Sequence, residues 1–242
     1  MIIREYIDSF LELIYPEKNC CQICGEVDDK IGEKYICKGC FKKLRLIKFP
    51  VCKVCGKSLS TTPEQKLCQE CIRNPKSFYK NRSPFRYKGI IKKILHDYKY
   101  LDKPYYFKML GYFLYQYIQE TNYTDYDFIT TVPLHNIKLR KRGYNQAELI
   151  AKYLAKKLSI PYIDTLKRVK NTTKQSNLSK EDRARNLKNV FEIKSKNTYN
   201  KIRGKKILIV DDIYTTGATI NECSSVLTTN GANRVYSITV AR

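Results

Sequence analysis

Tryptophan is absent from the 242 residues, and histidine and methionine occur twice each. The two histidines leave little room for imidazole chemistry. His135 falls in a turn, where a local hydrogen bond is the usual role, and His96 lies on a lysine- and tyrosine-rich helix and reads as structural. Long apolar runs are missing too. Met1 to Tyr15 places Ile3, Ile7, Phe10, Leu11 and Ile14 at helical spacing, but Arg4, Glu5, Asp8 and Glu12 interrupt them. A packed amphipathic helix is expected over residues 1–18, and neither a signal peptide nor a membrane span. Acidic residues are scarce, 23 against 46 basic, for a formal net charge of +23. Residues 1–75 hold 13 of the basic and 10 of the acidic residues, so nearly all the excess lies in residues 76–242. That asymmetry suits a polyanionic partner, and equally a lysine-rich chain with solvated helix faces.

A cytoplasmic location is expected, so the ten cysteines point to metal rather than to disulfides. Eight form Cys-x-x-Cys pairs: Cys21/Cys24, Cys37/Cys40, Cys52/Cys55 and Cys68/Cys71. A shift of 31 residues carries the first two pairs onto the last two, and Gly25 onto Gly56. Four thiolates satisfy tetrahedral zinc, and a glycine after the second cysteine fits the tight turn of a knuckle. Two structural zinc sites, one per repeat, are the natural reading; an interleaved pairing, with pairs one and three sharing an ion, stays open. Few apolar residues lie between the pairs, so a module over residues 19–75 needs the metal to hold together. Cys20 could serve as an alternative ligand but breaks the repeat, and Cys223 falls on the apolar face of a helix.

Residues 207–219, Ile-Leu-Ile-Val-Asp-Asp-Ile-Tyr-Thr-Thr-Gly-Ala-Thr, carry the most chemistry. Four apolar residues read as a buried strand with Asp211 and Asp212 at its carboxyl end. A hydroxyl- and glycine-rich loop, Thr215, Thr216, Gly217, Ala218 and Thr219, then opens an apolar-periodic helix (Ile220, Cys223, Val226, Leu227). Free N–H groups at a helix start cradle phosphate. Acceptor-only carboxylates suit vicinal hydroxyls. Together they describe a ribose 5-phosphate. The string resembles the phosphoribosyl pyrophosphate (PRPP) signature of type I phosphoribosyltransferases.

Strand and helix signals alternate from residue 76 onward. A short strand is expected at Phe85–Tyr87, helices near 90–98 and 104–119, a strand at 128–132, a helix at 145–158, and strands at 162–166 and 235–240. This argues for an α/β domain over residues 76–242, a mostly parallel sheet flanked by helices. Thr131-Val-Pro-Leu-His135, Arg140-Lys-Arg-Gly-Tyr-Asn-Gln146, Gln175-x-x-Leu178 and Arg183-x-x-Asn-Leu187 fit one family together with the order of parts. The whole resembles the ComF family, in which a double zinc ribbon precedes a phosphoribosyltransferase-like domain.

The resemblance implies natural competence, the intracellular handling of imported single-stranded DNA, with competence proteins such as a DNA helicase among the partners. It also implies Mg²⁺ bound with PRPP, Asp211 and Asp212 at the ribose as catalytic residues, and Thr215 to Thr219 at the 5-phosphate. Pro133, Leu134 and His135 would form the pyrophosphate loop, with Arg142 behind it. Gln175 would sit in a lid over residues 170–180. Purine-salvage relatives carry an aspartate as general base where this chain has Thr215. That leaves a transferase with another acceptor, or a PRPP-binding protein without turnover. A second reading rests on residues 78–108, where nine basic residues interleave with nine aromatic ones. Such a pattern suits single-stranded nucleic acid, although half of those aromatics would serve equally well as core.

Overall fold

The computed structural model describes residues 19–59, 65–101, 103–170, 187 and 189–242. The helix expected over residues 1–18 lies outside them. The chain divides into two compact units, Met1–Leu44 and Arg45–Arg242.

The 31-residue repeat extends from the cysteines to the backbone. In the first unit, Cys20 bridges Val27, Cys21 N donates to Glu26 O at 2.8 Å, and Gly25 N donates to Cys21 O at 2.8 Å. In the second unit, Val51 bridges Ser58, and Cys52 N and Gly56 N donate to Lys57 O and Cys52 O at 2.7 and 3.0 Å. Each pair lies 31 residues from its counterpart. Gly25 and Gly56 both adopt positive φ, 78° and 71°, which L side chains resist. Short helices α1 (Lys38–Lys42) and α2 (Gln69–Arg73) complete the two ribbons, each starting directly after a cysteine.

The rest of the second unit is an α/β fold. Its elements are β1 (Lys80–Arg82), α3 (Ile90–Tyr100), α4 (Tyr106–Glu120), β2 (Phe128–Thr131), α5 (Asn136–Arg142), α6 (Gln146–Leu158), β3 (Leu166–Arg168), β4 (Phe191–Ile193), α7 (Lys196–Ile202), β5 (Lys206–Ile213), α8 (Ala218–Thr229) and β6 (Arg234–Ala241). Four strands form a parallel sheet in the order β1-β6-β5-β2, and Tyr162 extends it by bridging Ile129 beside β2. β3 and β4 pair separately as an antiparallel ribbon. Ile207 to Val210 are fully buried, as a strand covered on both faces requires. In α3, Ile91, Ile94, Leu95 and Tyr98 face the core at i, i+3, i+4 and i+7. Asn145 caps α6 by accepting from Ala147 N at 3.2 Å.

The first strand lies earlier than the apolar pattern suggests. β1 is Lys80-Asn-Arg82, whereas Phe85 makes single bridges to Leu46 and Ala241. The reason is the second ribbon. Buried Asn81 donates to Cys55 O at 3.2 Å, and buried Arg82 donates to Cys52 O and Lys53 O at 3.4 and 3.2 Å. A strand that must satisfy a ribbon's carbonyls is polar where a core strand would be apolar. Asn81 Oδ1 also accepts from Ser237 Oγ at 2.9 Å. Asn81→Leu should therefore leave the buried Ser237 hydroxyl without its acceptor, take one of two donors from the Cys55 carbonyl, and cost about 1–3 kcal/mol, read as a fall in the urea midpoint with unchanged slope.

Candidate functional site

Each repeat gathers its own four sulfurs. Cys21, Cys24, Cys37 and Cys40 lie within 4.8 Å of one another, as do Cys52, Cys55, Cys68 and Cys71. The interleaved pairing is thereby excluded. A tetrahedral ion with Zn–S near 2.3 Å spaces its sulfurs about 3.8 Å apart. Cys24 and Cys37 sulfurs are 3.7 Å apart, and those of Cys55 and Cys68 3.6 Å. The donor sets thus fit two structural zinc ions. The Cys52 thiol is drawn down to about 4, chiefly by the Cys55 thiol donating to it and further by the amides of Cys55, Cys68 and Val54. Cys20 stands outside the first set, with its sulfur near the Gly25 carbonyl, and Cys223 is fully buried core.

The second cluster packs into the same core as Phe78 and Tyr214. Arg242 donates to the Cys55 carbonyl and lies over the Tyr214 ring, 4.5 Å from its centroid. A side chain at Gly217, whose φ is 77°, would meet the Tyr214 hydroxyl at 2.1 Å. A contiguous path therefore runs from a metal ligand to the glycine of the hydroxyl-rich loop.

Sheet topology sets the place of the main site. The chain leaves β2 toward Tyr162 on one side and leaves β5 toward β6 on the other. Ligands bind where strand order reverses in this way, outside the carboxyl ends. A cavity of about 1080 Å³ opens there, lined by Asp211, Asp212, Thr219, Val132, Leu134 and Arg142, with Lys99, Tyr100, Lys138, Lys141 and Arg168 among its other walls. Asn145 ties the rim together by donating from its side chain to Val132 O at 3.1 Å.

Electrostatics are steep at this point. Lys99 Nζ lies 2.7 Å from Asp212 Oδ2. Burial pulls the Lys99 ammonium down, but Asp212 and Asp211 outweigh it and hold the group above its ordinary value. Asp211 is pushed up to about 7, by burial first and by the neighbouring Asp212 carboxylate second. Its Oδ1 accepts from Asp212 N at 2.9 Å. Arg142 stacks on Tyr100, 5.2 Å from the ring centroid, and donates to Gln146 Oε1 at 3.1 Å. The buried Gln146 Nε2 has no partner among the described residues, which leaves a donor for a ligand in the cavity it lines.

Of the residues singled out from sequence, Asp211, Asp212, Thr219, Leu134 and Arg142 share this cavity. Thr215 and Thr216 line a second, smaller one, and Thr216 Oγ1 accepts from Ala218 N at 3.3 Å. Gly217 is the residue before α8, and Ala218 is its first residue. Pro133, Gly217, Ala218 and His135 line neither cavity. His135 instead caps α5, its Nδ1 accepting from Ile137 N at 3.3 Å. Gln175 lies outside the described residues, as does nearly all of the expected lid.

Residues 10–72 match the double zinc ribbon domain, and residues 141–242 match the phosphoribosyl transferase domain. Competence protein F of Haemophilus influenzae is 31% identical over 217 residues, covering 88% of this chain and 92% of that protein. The chain belongs to the ComF family. Competence protein ComFC of Bacillus subtilis is 28% identical, covering 87% of this chain and 85% of its own length. DNA utilization protein YhgH of Salmonella typhi is 31% identical, over 69% of this chain and 74% of its own.

Arg142 apart, sequence reading missed the cationic wall of this ComF-family site. Lys99 belongs to α3 and Arg168 to β3, each far in sequence from the acids they face. The aromatic stretch also resolves unevenly: Phe78, Phe85, Tyr98 and Tyr106 are buried, whereas Tyr79 and Tyr100 are exposed. No helix among the described residues is long and apolar enough to cross a membrane.

Asp211 supplies a test of the site's strain. An acid whose native pKa lies above its unfolded value, near 3.9, adds stability below that value and loses it as pH rises through about 7. Asp211→Asn should thus melt higher than the parent at pH 8, by a few degrees, with the gap shrinking toward pH 5. For the metals, two zinc ions per chain are expected by elemental analysis. Cys71→Ser should lose one and lower the melting temperature of the unit holding the sheet.

Proposed function

We propose that this protein binds Mg²⁺–PRPP in the larger cavity and transfers the phosphoribosyl group to a non-purine acceptor. One observation carries the reading: two adjacent carboxylates at the β2–β5 exit are opposed by a cationic wall, beside a hydroxyl-rich loop at a helix start. Asp211 and Asp212 would accept hydrogen bonds from the ribose hydroxyls. The loop Thr215 to Thr219 would hold the 5-phosphate with amides and hydroxyls at the start of α8. Pyrophosphate would lie beside the turn at Leu134, where Arg142, Lys141 and the free Gln146 amide line the same cavity and would neutralise and hydrogen-bond it. Bound with PRPP, Mg²⁺ would offset the charge of the leaving group. Lys99 has a dual position: it pairs with Asp212 and would have to yield for a diol to take the carboxylate.

The cellular setting of this reading is the cytoplasmic handling of imported single-stranded DNA. It is supported by what the relatives are called, Competence protein F and DNA utilization protein, and by the strongly basic charge of residues 76–242. A second reading, a PRPP sensor and single-stranded-DNA adaptor without turnover, is favoured by Thr215, which offers no general base at its place in the loop.

Phosphorus NMR of PRPP with Mg²⁺ and protein separates the two. Pyrophosphate released faster than without protein, and lost in Asp212→Asn, is the expected result. Shifted PRPP resonances without release would establish the sensor instead, and an unperturbed spectrum would sink both. Asp212→Asn should weaken PRPP binding about tenfold or more, the loss of charged hydrogen bonds to the diol.

A further inference from the structure

The hydroxyl-rich loop borders two cavities, Thr219 lining the larger and Thr215 and Thr216 the smaller, and the reading above leaves the rest of the smaller one without a role. The other, of about 460 Å³, lies between the second ribbon and the exit of β5. Ribbon residues Lys57, Ser58 and Glu70 form one wall; Arg86, Tyr87 and Arg242 form the next; Ile213, Tyr214, Thr215 and Thr216 close it. Successive residues of one strand end therefore divide their attention, Asp212 lining the larger space and Ile213 the smaller.

Its chemistry is selective. Three cationic side chains line it, and none of Lys57, Arg86 and Arg242 has a carboxylate partner among the described residues. The single acid, Glu70, is engaged with Asn74 Nδ2 at 3.4 Å and Lys76 Nζ at 4.0 Å. The Arg242 guanidinium, already seated on the Tyr214 ring, presents a flat face on which a planar ring can stack. The volume lies in the range of small-molecule sites.

We infer that this cavity is the acceptor site, and that the acceptor is a planar nitrogen heterocycle bearing an acid group. The inference rests on the PRPP reading for the reaction, though not for the binding. An unprotonated ring nitrogen supplies the electron pair of the new bond to the anomeric carbon. The bond from that carbon to pyrophosphate oxygen breaks with its pair on pyrophosphate. No proton moves, so the missing base at Thr215 is no obstacle. Charge on the ring's acid group meets Arg86 and Lys57, and the second ribbon becomes a wall of the reaction site.

Calorimetric titration with nicotinate and quinolinate, acids whose ring nitrogen carries no hydrogen, against uracil and adenine as uncharged rings, tests the pocket without PRPP. At least one of the two acids should bind, about tenfold or more tighter than either uncharged ring. That affinity should fall about tenfold in Arg86→Glu and in Lys57→Glu, both exposed positions that should fold normally. PRPP binding, measured separately by phosphorus NMR, should survive both changes. Neither acid binding, an uncharged ring binding as well, or affinity unmoved by both substitutions would overturn the inference. Acid binding without PRPP binding would remove the transfer reaction and leave the pocket. PRPP binding without acid binding would do the reverse.

Discussion

Two carboxylates on adjacent residues, set at the end of a buried strand, are a costly arrangement. Desolvation and mutual repulsion both oppose ionisation of Asp211, and its elevated proton affinity records that cost. Much of the surrounding architecture can be understood as compensation. Helix α3 brings Lys99 to Asp212, and the antiparallel β3–β4 ribbon brings Arg168 to the same cavity. The fixed position of β5 between β2 and β6 holds the pair at the one place where the sheet's strand order diverges. A perturbed acid of this kind, set beside a cavity, marks a candidate functional site.

The two ribbons, alike in sequence and in local backbone, differ in their surroundings. The first belongs to its own compact unit, and its Cys24 is exposed. The second is built into the α/β core. All four of its cysteines are buried, and its carbonyls are taken up by Asn81, Arg82 and Arg242. A metal centre usually regarded as a separate module is here part of the support for the hydroxyl-rich loop, through Arg242, Tyr214 and Gly217.

Function in this protein is written unevenly along the chain. The loop after β5 is legible because its strand, two acids and hydroxyl- and glycine-rich turn are contiguous in the chain. The cysteine repeat is legible for the same reason, since a knuckle holds two thiolates within four residues. The cationic wall, Arg142 apart, is not. Lysine is the commonest kind of residue on a solvated face, so nothing local distinguishes Lys99 from Lys92 or Lys93. The first strand was hidden because its burial is polar: Asn81 and Arg82 read as loop residues until the ribbon they bond to is seen.

Sequence alone determined the local donor sets, four thiolates in each ribbon and paired carboxylates with hydroxyls after β5, because backbone turns and donor sets depend on residues a few positions apart. It also determined that metal would be sulfur-bound and that the sheet would be mostly parallel. Tertiary structure decided which cysteine pairs share an ion, which cations face the acids, and that the loop's threonines look into two spaces. Those outcomes depend on long-range packing, where residues up to about 190 positions apart meet, as Cys55 and Arg242 do. No local pattern encodes such a meeting; it follows from how the buried strands order themselves once the chain is closed around its core.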